Sequence, residues 1–192
     1  MDDRFSLCEI FVRACLGKSF SCIERNGDLS EALHYAKLAG DHIRLCKALI
    51  SENQCEEDRE VLHDGLCRCQ ASYEDCRGWI LFNLGQVDKA KVYLEKSVSR
   101  WSDSLAYTHL ALAYESKMES WDPTAGDKTL PARKTLECYR LAIDLDIRDE
   151  YADDLIGLRQ KLARKNIDTS AKEEKKDGLP ESIGSNEKCS QG

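Results

Sequence analysis

Two stretches of this chain, 78–101 and 107–146, each read as a pair of short amphipathic helices with small residues where the helices must cross. That feature constrains the fold more than any other. A helix pair of this kind cannot bury its apolar face alone and must stack on copies of itself. In the first stretch, Gly78, Leu81 and Phe82 line a helix that ends at Leu84-Gly85. Ala90, Tyr93, Leu94, Ser97, Val98 and Trp101 then fall at relative positions 0, 3, 4, 7, 8 and 11, a full apolar stripe over three turns. Ser102-Asp103-Ser104 supplies capping chemistry for a helix carrying Tyr107, Leu110, Ala111 and Tyr114. Ala132, Leu136, Tyr139, Ala142 and Ile143 mark its partner. Residues 119–131, with two prolines and a glycine, read as the loop between them.

The flanking segments are also helical in pattern. Phe5, Cys8, Val12, Cys15, Ser19 and Cys22 share one stripe at steps of three and four. Asn26-Gly27-Asp28 breaks that helix, with glycine suited to its end and Asp28 to the start of the next. Residues 29–39 resume with Ala32, Tyr35, Ala36 and Ala39. Gly40-Asp41 repeats the punctuation, so a separate short helix is expected over 42–52. The polar run from Ser51 to Glu60 reads as a turn and a helix start, with Val61, Leu62, Leu66 and Cys69 as the apolar face that follows. A last helix is expected over 149–165. It would bury Tyr151, Leu155, Leu158 and Leu162 and carry Arg159, Lys161, Arg164 and Lys165 toward its C-terminal end. From Asn166 onward almost nothing is apolar, and residues 166–192 read as a disordered polar tail.

Composition narrows the function classes. A net charge of −7, with no dense Lys/Arg cluster, argues against a nucleic-acid partner. No run approaches the ~20 apolar residues of a membrane span. The acidic start, Met1-Asp2-Asp3-Arg4, and the charges at Arg13, Lys18 and Glu24 do not read as a secretory signal. The expectation is a cytoplasmic protein whose ten cysteines are reduced thiols.

On these residues the chain resembles the tetratricopeptide repeat (TPR) family. The run from Gly78 to Val98 is similar to that family's pattern, with small residues at Gly78, Gly85, Ala90 and Ser97. Residues 107–114 resemble the first helix of a second copy, and 139–146 the end of its second helix. Gly27-Asp28-Leu29-Ser30-Glu31-Ala32 repeats the turn seen from Gly85 to Ala90. Closely crossing helices need Gly, Ala or Ser at the crossing point, which is the physical basis of the pattern. The resemblance implies an all-α fold of antiparallel helix pairs stacked as a short TPR-like α-solenoid. It divides the chain into a degenerate helical repeat region over 1–70, TPR-like repeats with a final capping helix over 71–165, and the tail. Three departures stand out. The glycine turns lie 58 residues apart, not a multiple of the ~34-residue repeat. The family's proline after the second helix is missing, with Ser102 and Ile147 near those places. The insertion 119–131 replaces a tight turn.

The resemblance also implies a concave groove lined by the first helix of each pair. Carried over, it places Asp75, Trp79, Phe82 and Asn83 on the groove, with Thr108, Leu112 and Glu115 beside them. Trp79 and Phe82 would supply aromatic anchor area for a peptide. Asp75 and Glu115 stand where a carboxylate clamp would need cations, so a neutral or basic ligand segment is expected. Trp121 on the inserted loop is a further candidate contact, since long loops on scaffolds are often functional.

Chemistry is not expected. Cys8, Cys15 and Cys22 recur every seven residues, which on a helix separates neighbours by about 10 Å, too far to share one zinc. Cys55, Cys67, Cys69 and Cys76 with His63 could converge only if 53–70 were irregular. The four histidines sit in helical patterns without an oxyanion loop, and no phosphate-binding loop is present. Cys189 precedes Ser190 and Gln191, not the aliphatic pair that prenylation prefers. The sequence therefore reads as a scaffold without catalytic residues, metal or cofactor, binding a peptide or helix of another protein. A self-associating assembly protein is the alternative, and a zinc- or redox-responsive cysteine protein using 55–76 is a third.

Overall fold

The structure is a computed structural model and describes residues 3–53, 55–119 and 129–145. It is all-helical: α1 (Asp3–Ser21), closed by a π-helical turn over Cys22–Asn26, α2 (Leu29–Glu52), α3 (Glu56–Asn83), α4 (Val87–Arg100), α5 (Ser104–Glu119) and α6 (Thr129–Leu145). No strand occurs among the described residues. Trp121, the expected helix over 149–165 and the tail over 166–192 lie outside the described residues, as does most of the inserted loop.

The helices pack as three consecutive hairpins: α1 with α2, α3 with α4, and α5 with α6. Local chemistry explains the first two turns. Gly27 (φ 62°) and Gly85 (φ 74°) both take the left-handed conformation that ends a helix at little steric strain. The Asp28 carboxylate then accepts from the Glu31 N–H at 2.9 Å and opens α2. Asp103 does the same for α5, accepting from the N–H groups of Leu105 and Ala106.

Two of the sequence expectations change. Gly40-Asp41 does not break the chain; α2 runs without interruption for 24 residues. Gly40 is buried, and a Cβ there would lie 3.2 Å from the Tyr73 ring. The glycine makes room for an aromatic ring of α3 instead of ending a helix. Helix α3 is one helix of 28 residues that runs through positions 70 and 71. Leu62, Leu66 and Cys69 of its first half are buried as expected, but Val61 is exposed.

Helix α3 is shared between two apolar clusters. The first is built from α1, α2 and α3 and contains Phe5, Val12, Leu16, Ile43, Leu62, Leu66 and Ile80. The second is built from α4, α5 and α6 around Leu94, Leu110, Tyr114 and Tyr139, with Leu81 and Phe82 of α3 packed against it. Ile80 and Leu81 thus point to different clusters from successive positions of one helix, as a period of 3.6 allows. Close approach of α3 and α4 depends on Gly78, where a Cβ would meet Leu94 at 2.6 Å.

Each hairpin carries a serine across its seam. The hydroxyl of Ser19 donates to the Ala32 carbonyl, that of Ser97 to Ala71, and that of Ser104 to Ala142, all at 2.8–2.9 Å. Ser19 and Ser97 are fully buried, and serine there satisfies its own polar group while staying small enough for a close crossing. Ser19 also accepts from the Cys76 thiol at 3.2 Å, tying α3 to the first hairpin.

Candidate interaction groove

Helix α3 packs against both α1 and α5, so the first helices of the three hairpins lie side by side. A stack of flat rings crosses them. Phe20 of α1 lies 5.9 Å from the ring of His109 on α5. His109 stacks on Trp79 of α3 at 4.1 Å and 12°. Trp79 stacks in turn on Phe82 at 5.0 Å and 7°. The imidazole is held in place by Asp75: Nδ1 of His109 lies 2.9 Å from Oδ1 of the carboxylate, and both side chains are nearly fully buried. With a carboxylate as the acceptor, the Nδ1–H donates.

Beside this stack is a half-open cavity of about 370 Å³. Val12, Arg13, Leu16 and Phe20 of α1 form one wall, and Arg68, Cys69, Ala71, Ser72 and Asp75 of α3 form the floor. Trp101, Asp103, Leu105 and Ala106 from the junction of α4 and α5 close the other side. The charged groups divide into committed and available ones. Asp75 is held by His109, and Asp103 caps α5. Arg68 lies over the Trp101 ring at 4.5 Å, with the Asp64 carboxylate 3.7 Å away. Arg13 pairs with Glu9 at 2.5 Å and remains largely exposed. Such exposed local pairs are worth well under about 1 kcal/mol and yield readily to another partner.

The structure places the residues expected on the groove in three groups. Asp75, Trp79 and Phe82 meet in the ring stack with His109. Asn83 is exposed at the end of α3, its amide donating to the Trp79 carbonyl at 2.9 Å. Thr108, Leu112 and Glu115 lie on α5 and form no part of that stack. Thr108 is buried, its hydroxyl donating to the Ser104 carbonyl, and Leu112 is half-buried. Glu115 is buried, with Oε2 accepting from the Tyr139 hydroxyl at 3.1 Å and Oε1 without a hydrogen-bond partner. Burial, followed by the charge of Glu115, pushes the Tyr139 phenol well above its ordinary value. The acidity expected from Asp75 and Glu115 is therefore not on display. Both are buried and bonded, and the exposed charged groups lining the cavity are Arg13, Arg68 and Asp103.

Those two arginines, with Phe20, Trp101 and His109, are the residues that sequence reasoning missed. One signal was present: Asp75 and His109 are 34 residues apart, the length of one repeat of the resembled kind. The thiols of 55–76 do not gather. α3 is helical from Glu56 onward, and no group of three or more His, Cys, Asp or Glu among the described residues could hold a metal. Cys67 lies 3.6 Å from His63 one turn earlier, while Cys69 and Cys76 are buried. Among the described residues no helix is long and apolar enough to cross a membrane.

No protein-family model, curated protein or solved structure matches this chain.

Proposed function

We propose that this chain is a non-catalytic, TPR-like scaffold that holds a peptide or helix of a partner protein against the inner faces of α1, α3 and α5. The observation that carries this reading is the cavity between those helices, walled by Phe20 and Trp101 and edged by two guanidinium groups. Aromatic and arginine side chains around a partly desolvated pocket are what peptide anchors use. The hairpin pairing and the glycine and serine crossings support the resemblance to TPR repeats, although α2 and α3 are longer than a helix of that repeat needs to be.

A photo-crosslinking side chain tests the assignment. Placed at Ser72, exposed on the cavity floor, it should yield a discrete partner adduct in cells; placed at Val92, exposed on α4, it should not. Arg68→Ala combined with Trp101→Ala should reduce the Ser72 adduct at least tenfold while leaving helicity unchanged. Equal adducts from both positions, or an adduct indifferent to the double change, would remove the groove from consideration.

A second reading is favoured by one surface. Leu7, Ile10 and Phe11 are exposed within about a turn of each other on α1. On α2, exposed Leu45 lies three residues beyond His42, the ring partner of Phe11. An apolar face of this kind on the first hairpin suits self-association. Sedimentation as a monomer at every concentration would leave only the first reading.

A further inference from the structure

Three of the chain's thiols lie in the apolar cluster where its first three helices pack together. Cys8 on α1 is half-buried, Cys46 on α2 is fully buried, and Cys69 on α3 is buried. The register of the first hairpin brings the first two face to face. Phe11 and His42 are in ring contact at 4.0 Å. One helical turn along the antiparallel seam, three residues back on α1 and four forward on α2, lie Cys8 and Cys46, both packed in the first apolar cluster. The seam is narrow because α2 buries Ala32, Ala36 and Ala39 along its length. Packed helices have axes about 8–10 Å apart and Cα atoms about 2.3 Å from each axis. Facing Cα atoms are then about 3.4–5.4 Å apart, a range that overlaps the ~4.4–6.8 Å a disulfide spans.

We infer that Cys8 and Cys46 are a dithiol modification site, converted by a hydroperoxide into a disulfide that staples α1 to α2. Exposure fixes the order of events. Peroxide reaches the half-buried Cys8 first. The Cys8 thiolate attacks one peroxide oxygen, the O–O bond breaks, and hydroxide leaves and takes up a proton as water. Cys8 is then a sulfenic acid, two electrons more oxidised. The Cys46 sulfur attacks the Cys8 sulfur; the S–S bond forms as the S–OH bond breaks, and the departing hydroxide takes the Cys46 proton as a second water. Two thiols have lost two electrons and two protons, and the peroxide has accepted them.

Burial, then the neighbouring Cys8 and Cys69 sulfurs, push the Cys46 thiol up to about 12, so it stays protonated and inert while Cys8 is reduced. Cys69 is the built-in competitor, because it is buried in the same apolar cluster as Cys46.

The test uses the full chain, reduced and then exposed to hydrogen peroxide, followed by mass spectrometry and peptide mapping. The expected result is loss of the mass of two hydrogen atoms, one peptide pair joined through Cys8 and Cys46, and full reversal by dithiothreitol. The oxidised chain should also melt at a higher temperature than the reduced one. In Cys46→Ser, dimedone should trap a sulfenic acid at Cys8 that the unmodified sequence does not accumulate. A Cys46–Cys69 link, a link between chains, or progression of Cys8 to sulfinic acid in the unmodified chain would each overturn the inference. The peptide map of the unmodified chain decides the matter without a variant having to fold.

Discussion

Replacing His109 by alanine is expected to lower the unfolding free energy by about 3–5 kcal/mol, the usual loss when one member of a buried charge-capable pair is removed. The reason lies with its partner. Asp75 is 4% exposed, so its carboxylate cannot recover in water the hydrogen bond it makes to the imidazole. The ring also separates Phe20 from Trp79, and its removal leaves a gap between α1, α3 and α5. Urea denaturation gives the size of the effect. The double change Asp75→Leu with His109→Leu should be much milder than either single loss, since both polar groups leave together and apolar side chains fill the space. A single-site loss below about 1 kcal/mol would mean that water or another group satisfies Asp75, and that the pair is not what binds α3 to α5.

Leu94→Ala should cost about 2–5 kcal/mol, because the side chain is fully buried where α3 and α4 cross and the space it leaves cannot all collapse. The more informative measurement concerns the residue opposite. Gly78→Ala alone places a methyl group 2.6 Å from the Leu94 Cγ and 3.2 Å from the Ala90 carbonyl. Overpacking of that kind costs about 1–3 kcal/mol, offset by about 0.5–1 kcal/mol from removing glycine from a helix interior. With Leu94 already truncated, the new methyl enters vacated space. The double variant should therefore be more stable than the sum of the two single losses, by about 0.5–3 kcal/mol. Strict additivity in a thermodynamic cycle would show that Gly78 and Leu94 do not share the contact described.

Elements governed by local chemistry were the ones legible in the sequence. The turns at Gly27-Asp28 and Gly85 and the cap at Asp103 follow from backbone freedom and side-chain acceptors a few residues away. The stripe from Phe5 to Cys22 could be read from its period alone, and all of it is buried except the half-buried Cys8. Gly40-Asp41 could not be told from a turn, because the reason for the glycine is Tyr73 on another helix. The unbroken course of α3 was hidden for a related cause. Its first half is polar on most faces, and only packing against α1 and α2 holds it helical as far as the Gly78 crossing. At the candidate site, Asp75, Trp79 and Phe82 were named from the first-helix pattern that the resemblance implies. The imidazole that organises them was not, and neither were the arginines beside the cavity. Arg13 and Trp101 lie 88 positions apart in the chain, and no periodicity within one helix reports that they border the same space.

The serine hydroxyls that bridge each helix pair have a mechanical corollary. A directional bond resists shear along its own seam, whereas stacked rings slide past one another with little penalty. Ser19, Ser97 and Ser104 stiffen each pair in this way, and between pairs the buried Asp75–His109 and Cys76–Ser19 bonds pin the ring stack against the same motion. Under load the described helices would hold together until those two bonds break, and only then would the rings slide.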